Sequence, residues 1–578
     1  MRSMYAFTSG YSWGGAHKAR THLVVVVAAC CRLSRAFVYS LVQLSLPRWQ
    51  LSLRRAGVNT SYMLQPNMTA LPHLLFFMAD DTGWNNVGWH NPQMHTPNAN
   101  KLVAEGLTLD RHYVFPYCSP SRSSFMSGRL PIHVQQQNLG NCDLAQGVPR
   151  NMTFLSAKLK SAGYRTVHAG KWHLGMSSWG HIPAGRGFDE SLVFFAGAED
   201  HLTQRSCTDG ECIIPINDTS GSPHDWWQNS SPARATAGSR HSGFQLNDFA
   251  VKAVLDHEPD VQPLFMYLAP ASSHTPLEPP ERFANLYPLS WYEDRRLYAG
   301  QCSVWDEILG NVTSALMSKQ MWSRTLLVFS SDNGGPVYWS SDPSFPHGAG
   351  ANNWPLLGGK ASNWEGGVRA AAFVSGGILA ASLRGTTTSA YVHIADWYAT
   401  FCELAGVDPT DHVAAKYGLP PIDSLSMVQL ISSTNGTSPR QEIPISLDWV
   451  DGRAGSSANA SALIQGPWKL VQGLQLQTFW QGPEFPNASH IPYGNISENW
   501  KLCGNDNDKL KRACLYNIME DPTEHEDLER AHPDIVDRMV ARMDELRRTK
   551  YQRASEFDHL ACQAQVKANE GFYGPWRP

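Results

Sequence analysis

Three uninterrupted apolar runs, each leading into polar residues, constrain this chain most. Leu74-Leu75-Phe76-Phe77-Met78-Ala79 runs into Asp80-Asp81-Thr82-Gly83, and Leu326-Leu327-Val328-Phe329-Ser330 is followed by Asp332-Asn333-Gly334-Gly335. A third run, Leu264-Phe265-Met266-Tyr267-Leu268-Ala269, leads to His274. A strand with one wet face alternates polar and apolar residues, whereas a strand buried on both faces is apolar throughout. Helical patterns lie between the runs, at 153–162 and 245–257. The alternation predicts an α/β fold: a mixed, mostly parallel sheet flanked by helices. Ligands of such sheets bind beyond the carboxyl ends of the strands, so the three polar clusters predict one shared site.

The chain is long enough for this: 578 residues, 42% of them hydrophobic and 17% charged, support a large core. Forty-seven basic residues against 51 acidic ones give a net charge of −4, with no basic block, which argues against nucleic acid as a partner. After about residue 420 the pattern changes to Ser/Gly/Asn-rich loops, short strand candidates such as Trp468-Lys469-Leu470-Val471, and a helical stripe from Pro533 to Arg548. We therefore expect a large domain over 70–425 and a smaller α+β domain over 426–578, with an antiparallel sheet and one helix. Residues 1–60 read as a targeting leader, with the apolar run at 22–30 behind Lys18 and Arg20. That run is too short to span a membrane, and no spanning segment follows, so stable membrane insertion is not expected.

Ten N-x-S/T sequons, at Asn59, Asn67, Asn151, Asn217, Asn229, Asn311, Asn435, Asn459, Asn487 and Asn495, point to the secretory pathway. The 22 histidines suit an acidic compartment. A lysosomal or extracellular destination is the expectation. Asp80, Asp81, Asp332 and Asn333 offer only oxygen donors, a set that selects Ca²⁺ or Mg²⁺ over zinc.

Cys118-Ser119-Pro120-Ser121-Arg122-Ser123-Ser124-Phe125-Met126-Ser127-Gly128-Arg129 resembles the signature of the type I sulfatases, C-x-P-x-R followed by an apolar pair and S/T-G-R. Gly170-Lys171-Trp172-His173-Leu174-Gly175, His274 in a Ser-Ser-His-Thr-Pro context, and Lys360 shortly before Trp364-Glu365-Gly366-Gly367-Val368-Arg369 extend the likeness, which runs from about His73 to the C-terminus and is nearest the N-acetylgalactosamine-4-sulfatase branch. The resemblance implies an alkaline-phosphatase-like fold and hydrolysis of sulfate esters on a glycan or an aryl sulfate. It implies that Cys118 is converted to formylglycine by a dedicated enzyme of the endoplasmic reticulum. The hydrated aldehyde would attack sulfur with one hydroxyl and expel sulfate with the other, which splits one hard displacement into two steps. By the same resemblance Asp80, Asp81, Asp332 and Asn333, with residue 118 beside them, hold one calcium. Lys171, Arg122 and Lys360 bind the sulfate, His173 hydrogen-bonds the nucleophile, and His274 lies on the leaving-group side. Departures from the family pattern fall at Thr82, Gly359 and Ala370-Ala371 and bear on sugar preference.

A phosphonate or phosphate ester hydrolase of the same superfamily, or a non-catalytic glycan-binding relative, is the alternative. The oxygen-only donor set opposes the first and the unbroken residue set the second. Loops 198–212 and 339–351 are the expected source of substrate discrimination. Of the 11 cysteines, Cys207–Cys212, Cys503–Cys514 and Cys142–Cys562 are the expected pairs, with Cys302 and Cys402 as free buried thiols.

Overall fold

A computed structural model describes residues 70–140, 142, 147–206, 222–337, 350–449, 460–483, 500–504, 512–552 and 558–578. The expected leader and the Cys207–Cys212 pair lie outside these residues, as do 207–212 and 339–349 of the two loops expected to discriminate substrates. The main sheet has ten strands. In chain order they are β1 (His73–Ala79), β2 (Leu107–Leu109), β3 (Arg165–Lys171), β4 (Glu190–Phe194), β5 (Trp227–Gln228), β6 (Ser231–Pro232), β7 (Leu264–Ala269), β8 (Thr325–Ser331), β9 (Ala372–Ser375) and β10 (Thr386–Thr388). Their spatial order is β10-β2-β9-β8-β1-β7-β3-β4-β5-β6. The five central strands, β8-β1-β7-β3-β4, are all parallel, so their carboxyl ends share one edge.

Strand β1 shows why the runs are apolar throughout. Leu74, Phe76 and Met78 pack with α1 (Cys118–Ser127), while Leu75, Phe77 and Ala79 pack with α2 (Ser242–Leu255) and α3 (Glu293–Ser318). Both side-chain sets are buried, so neither face of the strand can carry polar residues. A short helix, α4 (Glu365–Val368), and α5 (Asp396–Leu404) follow β8.

Glycine 170 sits one residue before the end of β3 with φ 109, and a Cβ there would lie 2.0 Å from the Ala269 carbonyl oxygen of β7. No L-residue fits that approach without moving a backbone that both cores enclose. Gly170→Ala is therefore expected to lower stability by at least about 3 kcal/mol, read as a fall in the chemical-denaturation midpoint.

The smaller sheet is antiparallel: β11 (Glu442–Trp449), β12 (Ala460–Gln465), β13 (Trp468–Gln475), β14 (Lys501–Cys503) and β15 (Cys514–Asn517), with β15 paired to β13. Helix α6 (Pro533–Arg547) covers it through Ile535, Val536, Met539, Met543 and Leu546. The sequence reading expected one helix here, and the structure has a second, α7 (His559–Ala568). Its only core-facing residues, Cys562 and Val566, are too few to mark an apolar stripe in the sequence. It returns to the large sheet, where Cys562 and Val566 join the core and Cys142–Cys562 is disulfide-bonded. Cys503–Cys514 is the other disulfide among the described residues, and Cys302 and Cys402 are free and buried. No helix among the described residues is long and apolar enough to cross a membrane. The sequon residues Asn229, Asn311 and Asn435 are exposed.

Candidate active site

The carboxyl ends of β1, β3, β7 and β8 deliver Asp80 and Asp81, Lys171 and His173, His274, and Asp332 and Asn333 to one buried centre, and the start of α1 adds Cys118 and Arg122. Lys360 enters from the loop before α4. Lys171 Nζ donates to Asp80 Oδ1 and Oδ2 at 2.9 and 2.8 Å. Arg122 donates through Nε and Nη2 to Asp332 Oδ2 at 3.0 and 2.8 Å, and its Nη2 lies 3.3 Å from Asp80 Oδ1. Lys360 Nζ donates to Asp81 Oδ2 at 2.7 Å and lies 3.4 Å from His274 Nε2. Three buried carboxylates thus face three buried cations, the pairing that burial of charge demands.

One oxygen from each of Asp80, Asp81 and Asp332 and the Sγ of Cys118 lie within 4.8 Å of one another. Asn333 Nδ2 donates to Asp81 Oδ1 at 2.7 Å, while its Oδ1 is buried with no hydrogen-bond partner. A buried carbonyl oxygen beside three carboxylates is a ready hard-cation ligand. Asp81 and His173 adopt left-handed backbone conformations, φ 56 and 52, a strain of about 1 kcal/mol or more each that functional sites hold in place.

Burial sets the electrostatics. It pushes the Asp80 carboxyl up to about 7, with Lys171 opposing and Asp332 adding to the rise. Burial would also raise Asp332, but Arg122 and Lys171 outweigh it and hold this carboxyl well below the usual range. The Cys118 thiol is pushed up to about 12 by burial, against the pull of Lys171 and Lys360. Such a thiol is not a thiolate at neutral pH and is a poor nucleophile as it stands. Burial lowers His274 to about 3. His274 Nδ1 donates to the Thr275 carbonyl at 2.7 Å, which leaves Nε2 toward Lys360. His173 Nε2 donates to Leu139 O at 3.1 Å, and its Nδ1 is buried without a partner.

All ten residues read from the sequence therefore meet in one place. Sequence reasoning missed the residues that hold them. Tyr267 accepts from Arg122 Nη1 at 3.2 Å, and the Tyr298 hydroxyl donates to the Asp81 carbonyl at 2.6 Å. Both sit inside apolar patterns, where a tyrosine reads as core. The described part of the 198–206 loop backs the site: His201 is buried and its Nε2 donates to the His274 carbonyl at 3.2 Å.

A family model described as Sulfatase matches residues 72–407. Arylsulfatase J of Mus musculus is 31% identical over 534 residues, covering 88% of this chain and 81% of that protein. N-acetylgalactosamine-6-sulfatase of Canis lupus familiaris is 28% identical over 392 residues, covering 65% of this chain and 69% of that protein. These relatives do not single out the N-acetylgalactosamine-4-sulfatase branch. The crystal structure of Ps i-CgsB in complex with k-i-k-neocarrahexaose superposes with a TM-score of 0.67 at 24% identity, over 86% of this chain and 98% of that one. PsFucS1 sulfatase from Pseudoalteromonas sp. gives 0.63 at 20% identity, over 88% and 96%. At these identities the likeness is one of fold.

Proposed function

The chain belongs to the sulfatase family and hydrolyses sulfate esters, and we propose that its buried centre does so on a sulfated glycan, with residue 118 as formylglycine and one calcium. The observation that carries this reading is the convergence of residue 118 with three carboxylates, the unpartnered Asn333 Oδ1 and three cations at one sheet edge. Asp80, Asp81, Asp332 and Asn333 would hold the calcium, which supplies Lewis-acid polarisation of the sulfate oxygens. Formylglycine supplies the nucleophilic hydroxyl that a thiol held at about 12 does not. Cys118 is 2% exposed, so a modifying enzyme would reach it before the chain folds.

The remaining work belongs to the chain's own side chains. Arg122, Lys171 and Lys360 supply positive charge where negative charge grows on the sulfate and the departing oxygen. Residue 118 opens the ten-residue helix α1, whose amino end adds a partial positive charge. His274 Nε2 and Lys360 Nζ, 3.4 Å apart, can hold a proton between them for the leaving alkoxide. His173 Nδ1 is an acceptor for a hydroxyl in the pocket.

The glycan preference is supported by the N-acetylgalactosamine-6-sulfatase relatives and by the oligosaccharide-bound structural neighbour. Passage through the secretory pathway accords with the sequons and the disulfides. A substrate panel tests the reading. An aryl sulfate and a sulfated N-acetylgalactosamine are expected to be hydrolysed, with the matching aryl phosphate and a steroid sulfate at least about 100-fold slower in kcat/KM. Turnover of the aryl sulfate without any sulfated sugar would discard the substrate class and keep the chemistry. A phosphate ester turned over faster than the sulfate would discard the chemistry.

A further inference from the structure

Helix α4 takes no part in the chemistry above, yet it touches both sides of the pocket. Gly367 O accepts from Gly334 N at 2.9 Å, one residue past Asn333, and Gly366 N donates to Leu357 O at 2.8 Å, at the start of the loop that delivers Lys360. These approaches require bare backbones. A Cβ on Gly334 would lie 1.8 Å from Gly366 O, one on Gly366 2.5 Å from Gly358 O, and one on Gly367 2.2 Å from Ser362 O.

Beneath α4 lies a buried ion cluster that joins this helix to the smaller sheet. Lys469 of β13, Glu365 of α4 and Glu524 have side chains that are 0%, 0% and 0% exposed. Lys469 Nζ donates to Glu365 Oε1 at 2.9 Å and contacts Glu524 Oε1 at 2.8 Å. Glu524 Oε2 accepts the Glu365 backbone N–H at 2.7 Å, and the Tyr113 hydroxyl donates to Glu365 Oε2 at 2.9 Å. The end of β13 and the segment after it grip the same loop elsewhere. Asn363 Nδ2 donates to Gln475 Oε1 at 3.1 Å, Trp364 Nε1 to Thr478 Oγ1 at 3.0 Å, and Gly358 N to Phe479 O at 3.1 Å. Buried ion clusters add little net stability over apolar residues of the same shape, whereas breaking one is costly. A cluster placed here fixes a position.

We propose that Lys469, Glu365 and Glu524 are positioning residues through which the antiparallel sheet holds α4, and so sets Lys360 against Asp81 in the pocket. The inference rests on the reading above that Lys360 binds the sulfate group.

The test is a double-mutant cycle with Lys360→Ala on an aryl sulfate, with rates normalised to the amount of residue 118 modified. Glu524→Gln keeps the shape and the acceptor for the Glu365 N–H but puts an amide nitrogen in place of the oxygen that Lys469 contacts at 2.8 Å. It is expected to raise KM, and the inhibition constant of inorganic sulfate, about 10-fold, with kcat/KM falling in step. On the Lys360→Ala background the same change should cost less than about twofold, because the residue it acts through is gone. If Glu524→Gln does not fold, Tyr113→Phe, which removes only the bond to Glu365 Oε2, carries the same cycle with an expected effect of about threefold. A full, multiplicative loss on the Lys360→Ala background, or no effect with Lys360 present, would overturn the positioning role and leave the site reading standing. If Lys360→Ala itself left kcat/KM and sulfate inhibition unchanged, the site reading would fail first and this inference with it.

Discussion

Cys118→Ala is expected to fold and to lose at least about 10⁴-fold in kcat on an aryl sulfate, the scale on which removal of a nucleophile acts. Two features predict the contrast between stability and activity. Residue 118 is small and its thiol makes one long contact, Sγ to Asp81 Oδ1 at 3.8 Å, so truncation costs only about 1 kcal/mol of stability. The carboxylates, lysines and Arg122 around it bind one another and remain in place. Parallel thermal unfolding and turnover measurements separate the two. A Cys118→Ala protein with substantial turnover would remove residue 118 from the chemistry, and one that fails to fold would mean that the site is held together by this side chain.

The second large effect is expected from the metal. Exhaustive chelation, or Asp332→Ala, should lower turnover by about 1,000-fold or more, the several kcal/mol that a cation contributes by polarising an oxyanion. Stability should fall as well. A ligand bound at 100 to 1,000 times its Kd stabilises by about 3–4 kcal/mol, so its removal lowers Tm by a few degrees in a chain of this size. Asp80, Asp81 and Asp332 are buried together at the ends of β1 and β8, where without a dication each opposes the charge of the others, although Lys360 holds Asp81, and Arg122 and Lys171 hold Asp332, below the usual range. Asp332→Ala also strips Arg122 of the oxygen to which it donates twice, at 3.0 and 2.8 Å, so its destabilisation should exceed that of chelation. Readdition of Ca²⁺ should restore the chelated enzyme and leave the variant inactive. Full activity in protein shown by elemental analysis to hold no metal would contradict the assignment of these four residues.

How far the molecule could be read from its sequence follows from where the physics is local. Strands β1, β7 and β8 were legible because burial on both faces leaves an unbroken apolar run, and their polar ends marked the site because a parallel sheet opens there. Strands such as Trp227–Gln228 and Ser231–Pro232 were not, since two residues carry no period; the first exists because β4 offers it an edge and the second because the first does. Asp80, Asp81, His274, Asp332 and Asn333 declared themselves at strand ends, and Cys118, Arg122, Lys171, His173 and Lys360 through the motifs they share with the family. Tyr267 and Tyr298 were hidden in apolar patterns. The Lys469–Glu365–Glu524 cluster was invisible for another reason: its partners lie 104 and 159 residues apart, and nothing local marks a lysine in a strand as buried. Helix α7 was missed because its stability comes from Cys562 and Val566 docking onto the distant large sheet, while Leu560 stays exposed.

The proposed chemistry depends first on an aldehyde at residue 118. Mass spectrometry of the tryptic peptide from His112 to Arg122, taken from enzyme made in a competent secretory pathway and assayed in the same preparation, tests it most directly. Formylglycine is expected at residue 118, in a proportion that tracks specific activity from one preparation to the next. An intact thiol at residue 118 in fully active enzyme would contradict it.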